Sequence, residues 1–253
     1  MNIKRKANLD DGCNPELVQG AKFDGLLEIP VISAPSSITI PTGFTPFTRR
    51  EKALGTDDAI CFFEKDPKFA EVLIDPAAYI EDFRRFRYLL PTDCSLYIDA
   101  PLAVQIINLY RSRVIASYYQ RNGCNVYPMA RWGNEYTYTT AYFPERIAFL
   151  GLPKHSIICI GTYGCISSRI ENTISNMALK QCLKRLLRKW FLSTVLCQMT
   201  FSAIICNVQS SSNTLIGRLG CMEVVVNGQW KKRIVFRHSW RQCSTGKCIL
   251  YGS

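Results

Sequence analysis

Polar side chains with the chemistry of a ligand site stand close together in the stretch TDCSLYIDAP, residues 92–101. Asp93 and Asp99 supply carboxylates, and Ser95 supplies a hydroxyl between them. Arg131 follows the next apolar run along the chain and adds a guanidinium. Carboxylates can transfer protons, and a guanidinium binds phosphate or carboxylate through two parallel hydrogen bonds. We therefore take these four residues as candidates for catalysis, or for binding a small anionic or nucleotide-like ligand.

Several of these polar residues, and of the others near the ends of apolar runs, also have an ordinary structural use. Asp99 can cap the following helix, and Arg131 can belong to a surface ion pair. Arg111 and Arg113 are two residues apart and cannot share one helix face, so we expect a solvated helix flank there. The additional ligand-binding candidates are Glu64, Asp66, Trp132, Thr162, Arg111 and Arg113.

Strand and helix patterns alternate through the middle of the chain and would position these residues. Repeated strand–helix units predict an α/β fold with a mainly parallel sheet, either an incomplete or irregular barrel or an open doubly wound sheet. In both architectures, ligands bind at the carboxyl ends of the strands. The predicted strands are residues 58–64, 87–97, 124–132 and 155–164, and the predicted helices are residues 76–86, 101–123 and 177–187.

The clearest predicted helix covers residues 101–123. Pro101 suits its first turn and Gly123 suits its end. Its apolar stripe at helical spacing is predicted to face the core. The members of that stripe are Ala103, Ile106, Ile107, Tyr110, Val114 and Tyr118.

Charge and proline content both change near the end of this pattern. Residues 1–176 hold 19 Lys and Arg against 19 acids, whereas residues 177–253 hold 12 against one acid, Glu223. All twelve prolines lie at or before Pro153. We therefore divide the chain into an N-terminal arm (1–20), an α/β domain (21–187) and an atypical basic, cysteine-rich tail (188–253).

The basic tail has two interpretations. A frameshift near residue 187 would make its composition accidental and the chain a non-functional product. If the tail is genuine, its cations and rings suit single-stranded nucleic acid, because cations bind phosphates and rings stack on bases. A membrane span is not expected, because polar residues interrupt the apolar stretch after Trp190. The nucleic-acid candidates are Lys231, Lys232, Arg233, Arg237 and Trp240.

Several familiar signatures do not occur in this sequence. It contains no GxxxxGK[ST], GxGxxG, GxSxG or HExxH pattern and no CxxC pair. We therefore expect no metal site, and no cofactor is indicated. The N-terminus does not resemble an export signal, so we expect reduced cysteines and a cytoplasmic protein.

Residues 92–113, from the polar stretch into the following helix, also carry a resemblance to a known family. Thr92, Asp93, Cys94, Ser95 and Tyr97, followed by Asp99, Pro101, Tyr110, Arg111 and Arg113, resemble the pattern of an uncharacterised bacterial and phage family catalogued as domain of unknown function 4417. The resemblance covers about residues 14–187. It implies a cytoplasmic α/β protein from the accessory genes of bacteria and their phages, and it implies no reaction, so enzymatic activity stays undecided.

Overall fold

Parallel strands form the centre of the protein in a computed structural model that describes residues 14–36, 39, 41–154, 156–161, 177–179 and 181–182, and the backbones of three later strands. The strands are β1 (Phe23–Asp24), β2 (Ile29–Pro30), β3 (Phe44–Pro46), β4 (Ala59–Cys61), β5 (Tyr88–Leu89), β6 (Met129–Ala130), β7 (Ile158–Gly161), β8 (Ala203–Cys206), β9 (Gly220–Val226) and β10 (Gln229–Phe236). The α-helices are α1 (Ala70–Ile74), α2 (Ile80–Phe83), α3 (Leu102–Arg121) and α4 (Glu135–Tyr138), and 3-10 helices cover Pro15–Val18, Phe47–Ala53, Asp66–Phe69, Pro76–Tyr79 and Ile147–Phe149.

The parallel strands are arranged in space in the order in which they occur along the chain. β3, β4 and β5 form one parallel sheet, and β6 and β7 pair in parallel in a second. An isolated parallel bridge between Leu89 and Val126 joins the two. β8 pairs antiparallel with the outer edge of β7. The prediction of mixed helices and strands with a parallel sheet is therefore confirmed.

The two faces of this sheet belong to different buried clusters, because successive side chains of a strand point to opposite faces. Ile60 and Leu89 pack with Ile115 and Tyr119 of α3, in a cluster that also contains residues of the other α-helices. Cys61 and its neighbours on the opposite face form a second cluster, which draws its members from strands and their flanking residues.

Helix α3 is confirmed, but its predicted buried stripe is wrong. The helix starts after Pro101 and stops before Gly123, whose φ of 83° suits a glycine. Ile107 is 48% exposed, and Ala103 is also exposed. Ile106, Tyr110 and Tyr118 are half-buried, and only Val114 of the stripe is buried. The residues that α3 buries are Gln105, Leu109, Ser112, Arg113, Val114, Ile115, Ala116, Ser117 and Tyr119.

The predicted strands are shorter in the structure than the apolar runs that indicated them. The run 87–97 pairs as a strand only at Tyr88–Leu89, and the run 124–132 pairs at Met129–Ala130 and through the bridge at Val126. Pro91 and Pro128 contribute to this shortening, because proline cannot donate a ladder hydrogen bond. Residues 91–94 stay buried without strand pairing, and the chain then forms a loop between β5 and α3.

Within the part of the chain that the structure describes, no helix has the length and apolar content needed to cross a membrane.

Candidate functional site

Two loops lie side by side where β5 and β6 end, and we call them the strand-end loops. The first covers residues 92–98 and the second covers residues 131–134. Arg131 Nε lies 3.3 Å from Asp93 Oδ1, and the two side chains are 12% and 4% exposed. Further along, Asn134 Nδ2 donates a hydrogen bond to the Ile98 carbonyl at 3.1 Å. These two contacts hold the loops together at both ends.

A fully buried glutamine on α3 connects the same two loops. Gln105 Nε2 donates to the Ala100 carbonyl at 2.8 Å, and its Oε1 accepts from the Asn134 backbone N–H at 3.2 Å. Gly133 leaves room for this amide, because a Cβ at position 133 would overlap Oε1 and lie 2.8 Å from Cδ. The glycine is therefore required by close approach.

The helix also anchors the first loop through two further polar side chains. Asn108 Nδ2 donates to the Ser95 carbonyl at 2.8 Å, and Ser112 Oγ donates to the Thr92 carbonyl at 2.7 Å. Residues three or four apart share a helix face, so Gln105, Asn108 and Ser112 form one polar stripe toward the loops. None of these residues was among the predicted site residues. Their helical spacing was the signal that could have identified them.

Asp66 fixes the first loop from the other side. It belongs to the 3-10 helix that follows β4, and both of its carboxylate oxygens bind Ser95. Ser95 N–H donates to Oδ2 at 3.1 Å, and Ser95 Oγ donates to Oδ1 at 2.7 Å. The structure therefore brings together Asp66, Asp93, Ser95 and Arg131 of the predicted candidates, although it pairs Asp66 with Ser95 and Asp93 with Arg131.

Burial dominates the electrostatics of this region. It raises the pKa of Asp93; the charge of Arg131 counteracts this effect, and the carboxylate of Asp66 adds to it. Burial also raises the pKa of the Cys61 and Cys94 thiols to about 12. Both thiols are therefore protonated at neutral pH, which argues against a cysteine nucleophile here. Asp93 takes up a proton more readily than a solvent-exposed aspartate, and the Arg131 guanidinium beside it has the chemistry to bind an anion.

Three other candidates do not join this group. Burial alone raises the pKa of Glu64, but the hydrogen bonds from Thr48 and the hydrogen bond and charge of Lys68 together hold it below its usual value. Trp132 is 6% exposed and packs in the core. Asp99 is exposed and makes no hydrogen bond to any described residue, so the expected helix cap is not formed.

Arg113 contradicts the expectation of a solvated helix flank, because its side chain is completely buried. Its Nε donates to the Leu150 carbonyl at 3.1 Å and its Nη2 to the Ala148 carbonyl at 3.3 Å. Nη1 has no hydrogen-bond partner among the described residues. Burial lowers the pKa of Arg113 to about 10, which still leaves it charged at neutral pH. Arg111 is only partly buried, as expected for a flank.

The side chains of the remaining candidates lie outside the part of the chain that the structure describes. Thr162, Arg237 and Trp240 are outside the described residues, and Lys231, Lys232 and Arg233 lie in β10, of which only the backbone is described. In the described ranges, no group of three or more His, Cys, Asp or Glu residues is arranged to hold a metal ion.

Comparisons with known proteins place the chain among phage-related sequences. It is 27% identical to "Gene 1 protein" of Mycobacterium phage L5 over 179 residues, which cover 66% of this chain and 75% of that protein. It is 29% identical to "Gene 1 protein" of Mycobacterium phage D29 over 136 residues, which cover 54% of this chain and 48% of that protein. No solved structure matches the chain.

The family comparison covers most of the sequence. The profile described as Domain of unknown function (DUF4417) matches residues 21–207. This range contains both strand-end loops and runs past residue 187, where the resemblance read from individual residues ended, to include β8. As that resemblance predicted, the chain belongs to the DUF4417 family.

Proposed function

We propose that the strand-end loops bind a small anionic or nucleotide-like ligand, with Asp93, Ser95 and Arg131 in contact with it. The observation that carries this proposal is the buried ion pair between Asp93 and Arg131 at the ends of parallel strands. Removing two charges from water costs several kcal/mol per ion, and an apolar pair would fill the same space more cheaply. Buried groups with shifted pKa values therefore concentrate at functional sites.

The position of the pair supports the same conclusion. We favour an incomplete barrel-like sheet over an open doubly wound one, because β3 to β7 follow one another in a single direction. Among the described residues, the buried cluster on one face of the sheet contains residues of the α-helices, and the cluster on the other face contains none. A doubly wound sheet would reverse its strand order and carry helices on both faces. In barrels, the loops after the strands bind the ligand.

The limits of the domain and the cytoplasmic localisation of the protein are also part of this proposal. The α/β domain would span residues 21–187, between an N-terminal arm and the basic tail, and the pairing of β8 with β7 supports extending it to residue 207. The buried free thiols Cys61, Cys94 and Cys124 support a reducing, cytoplasmic environment. Binding is the proposed activity. Turnover of the ligand would additionally need a proton carrier, for which Asp93 is the candidate.

The test is a thermal-shift titration with inorganic phosphate and with ribonucleoside monophosphates. We expect a ligand to raise the Tm of the unmodified protein and to have little effect on Arg131→Gln. Arg87→Gln is the matched control, because Arg87 pairs with Asp57 on the exposed surface. An equal shift in Arg131→Gln and Arg87→Gln would mean that the site is wrong. Ser95→Ala then tests the hydroxyl, with a smaller expected loss.

A second candidate function is nucleic-acid binding by the basic tail. The excess of cations in residues 177–253, interleaved with tryptophan and phenylalanine after Gln229, favours it. Binding to single-stranded DNA should weaken steeply with salt and disappear when the chain ends at Leu187. Equal binding by the shortened chain would exclude the tail as the cause.

A third alternative is that a frameshift produced the tail and the chain is non-functional. The coincident loss of prolines and acids near residue 187 supports it. The test is to translate the nucleotides that encode residues 180–200 in all three frames. A shifted open frame that restores prolines and acids is the expected result. If no shifted frame is open, the tail is genuine, and nucleic-acid binding becomes the alternative to test.

A further inference from the structure

We infer that the ligand of the strand-end loops is a nucleotide, whose base stacks on a tyrosine rim while its phosphate binds Arg131. The tyrosine rim consists of Tyr97, Tyr136 and Tyr142. This inference rests on the proposed function and deepens it, because it replaces the broad class of small anions by an anion that carries a flat aromatic ring.

The first observation is the concentration of exposed apolar side chains beside the polar loops. Tyr97 and Tyr142 are each 62% exposed, and Tyr136 is 37% exposed. Of the eleven large hydrophobic side chains that are exposed in the described residues, four lie in the segments 97–98 and 136–142. Single exposed apolar residues need no explanation, but a concentration of them marks an interaction site.

The rim is continuous with the loops that hold Asp93 and Arg131. The side-chain amide of Asn134 donates to the Ile98 carbonyl at 3.1 Å and accepts from the Tyr136 N–H at 3.2 Å. One amide group therefore separates the backbone next to Tyr97 from the backbone of Tyr136. The rings of Tyr136 and Tyr142 then meet edge to face, with their centroids 4.4 Å apart.

The backbone that presents Tyr97 is fixed on both sides of the ring. Ser95 is held by Asp66 and Asn108, and Ile98 is held by Asn134. The Tyr97 carbonyl accepts the Ala100 N–H at 3.2 Å in a turn. A ligand that stacks on this ring does not have to order the loop, which lowers the entropic cost of binding.

The combination of groups selects a nucleotide. A tyrosine ring offers a stacking face to any base, the Ser95 hydroxyl can hydrogen-bond to a sugar, and a guanidinium matches a phosphate. A plain anion would make no use of the rim. If the rim instead bound the apolar surface of another protein, the Asp93–Arg131 pair would take no part in binding.

The experiment is isothermal titration of the full chain with AMP, GMP, CMP and UMP, and with ribose 5-phosphate and inorganic phosphate as references. We expect at least one nucleotide to bind about tenfold or more tightly than ribose 5-phosphate. Tyr97→Ala should remove that advantage, whereas Tyr97→Phe should keep it. Phe23→Ala is the control, because Phe23 is 49% exposed on β1.

The other outcomes of these measurements separate a failure of the nucleotide inference from a failure of the proposed function. If ribose 5-phosphate binds as tightly as every nucleotide and Arg131→Gln weakens all of them, the inference is wrong and the proposed function stands. If none of the six compounds binds, both are wrong. If Tyr97→Ala abolishes self-association in size-exclusion chromatography and leaves nucleotide affinity unchanged, the rim is a contact between two copies of the chain and the inference is overturned.

Discussion

Asp93 is the residue whose chemistry depends most on its surroundings. Its folded-state pKa is raised by burial, while an unfolded aspartate titrates near pH ~3.9. The folded protein therefore holds the proton more tightly, so this contribution to stability is complete below the unfolded pKa and is lost as pH rises through the folded pKa. The charged groups that act on Asp93 are the Arg131 guanidinium, which lowers its pKa, and the Asp66 carboxylate, which raises it.

We predict that Asp93→Asn removes the loss of stability that Asp93 causes as the pH rises. Compared with the unmodified protein, the variant should gain Tm progressively in the pH range above the unfolded aspartate pKa of about 3.9, because its amide does not ionise. The measurement is thermal unfolding across that range. Asp99→Asn is the control, since Asp99 is exposed, and its profile should parallel that of the unmodified protein. A parallel profile for Asp93→Asn would contradict the assignment.

Gly133 gives a second prediction at the residue scale. Gly133→Ala should lower the free energy of unfolding by about 1–3 kcal/mol, because the new Cβ overlaps the buried Gln105 amide. In a Gln105→Ala background the same change should cost less, since the overlapping atoms are absent. Denaturant unfolding of the unmodified protein, the two single variants and the double variant measures this coupling in a double-mutant cycle. Additive effects would mean that the two residues do not touch.

At the scale of elements, helix α3 turns several polar side chains inward and leaves some of its aliphatic side chains exposed. Gln105, Asn108 and Ser112 turn toward the strand-end loops, while Val104 and Ile107 are 43% and 48% exposed. The loops contain backbone carbonyls that no strand pairs, and those carbonyls need donors. Polar side chains on the inner face supply them, so burial there follows hydrogen bonding more than hydrophobicity.

This arrangement predicts that truncating two aliphatic residues of α3 lowers the free energy of unfolding by different amounts. Leu109→Ala should lower the free energy of unfolding by about 2–5 kcal/mol, because Leu109 is 1% exposed and its loss leaves a cavity. Ile107→Ala should change it by about 0.5 kcal/mol or less, because Ile107 is largely exposed. Urea unfolding of both variants tests the pair. The opposite ranking would restore the stripe that the sequence pattern indicated.

For the whole molecule, the open question is where the domain ends. β8 covers the edge of β7 by antiparallel pairing, and the family match continues to residue 207. Without β8, β7 would present unpaired N–H and C=O groups, and such an edge invites aggregation. The domain limit therefore has a physical consequence that shortened chains can reveal.

We predict that a chain ending at residue 207 is more soluble than one ending at residue 187. It should also unfold at a higher temperature, because β8 adds ladder hydrogen bonds and covers the β7 edge. Size-exclusion chromatography and thermal unfolding of the two chains make the comparison. Equal behaviour would show that β8 contributes nothing and would support a limit at residue 187.

The sequence by itself determined the α/β class, the long helix after Pro101 and the family. These features depend on local patterns: apolar runs form strands, Pro101 and Gly123 bound a helix, and the stretch at 92–101 has family-specific spacing. It also indicated Asp93 and Arg131 as candidates, because polar residues at strand ends meet at one edge of a sheet. Each of these inferences needs only neighbours in the chain.

Only the tertiary structure decided which residues meet and which are buried. The 3.3 Å contact between Asp93 and Arg131 joins residues 38 positions apart, and no local pattern specifies it. Arg113 is buried because the carbonyls of Ala148 and Leu150 reach it from a distant segment. The spacing of polar and apolar residues in a sequence indicates the two faces of a helix. Which face is buried depends on what packs against it. For the face of α3 that carries Gln105, the packing partner is a pair of polar loops, which is why Gln105 is buried.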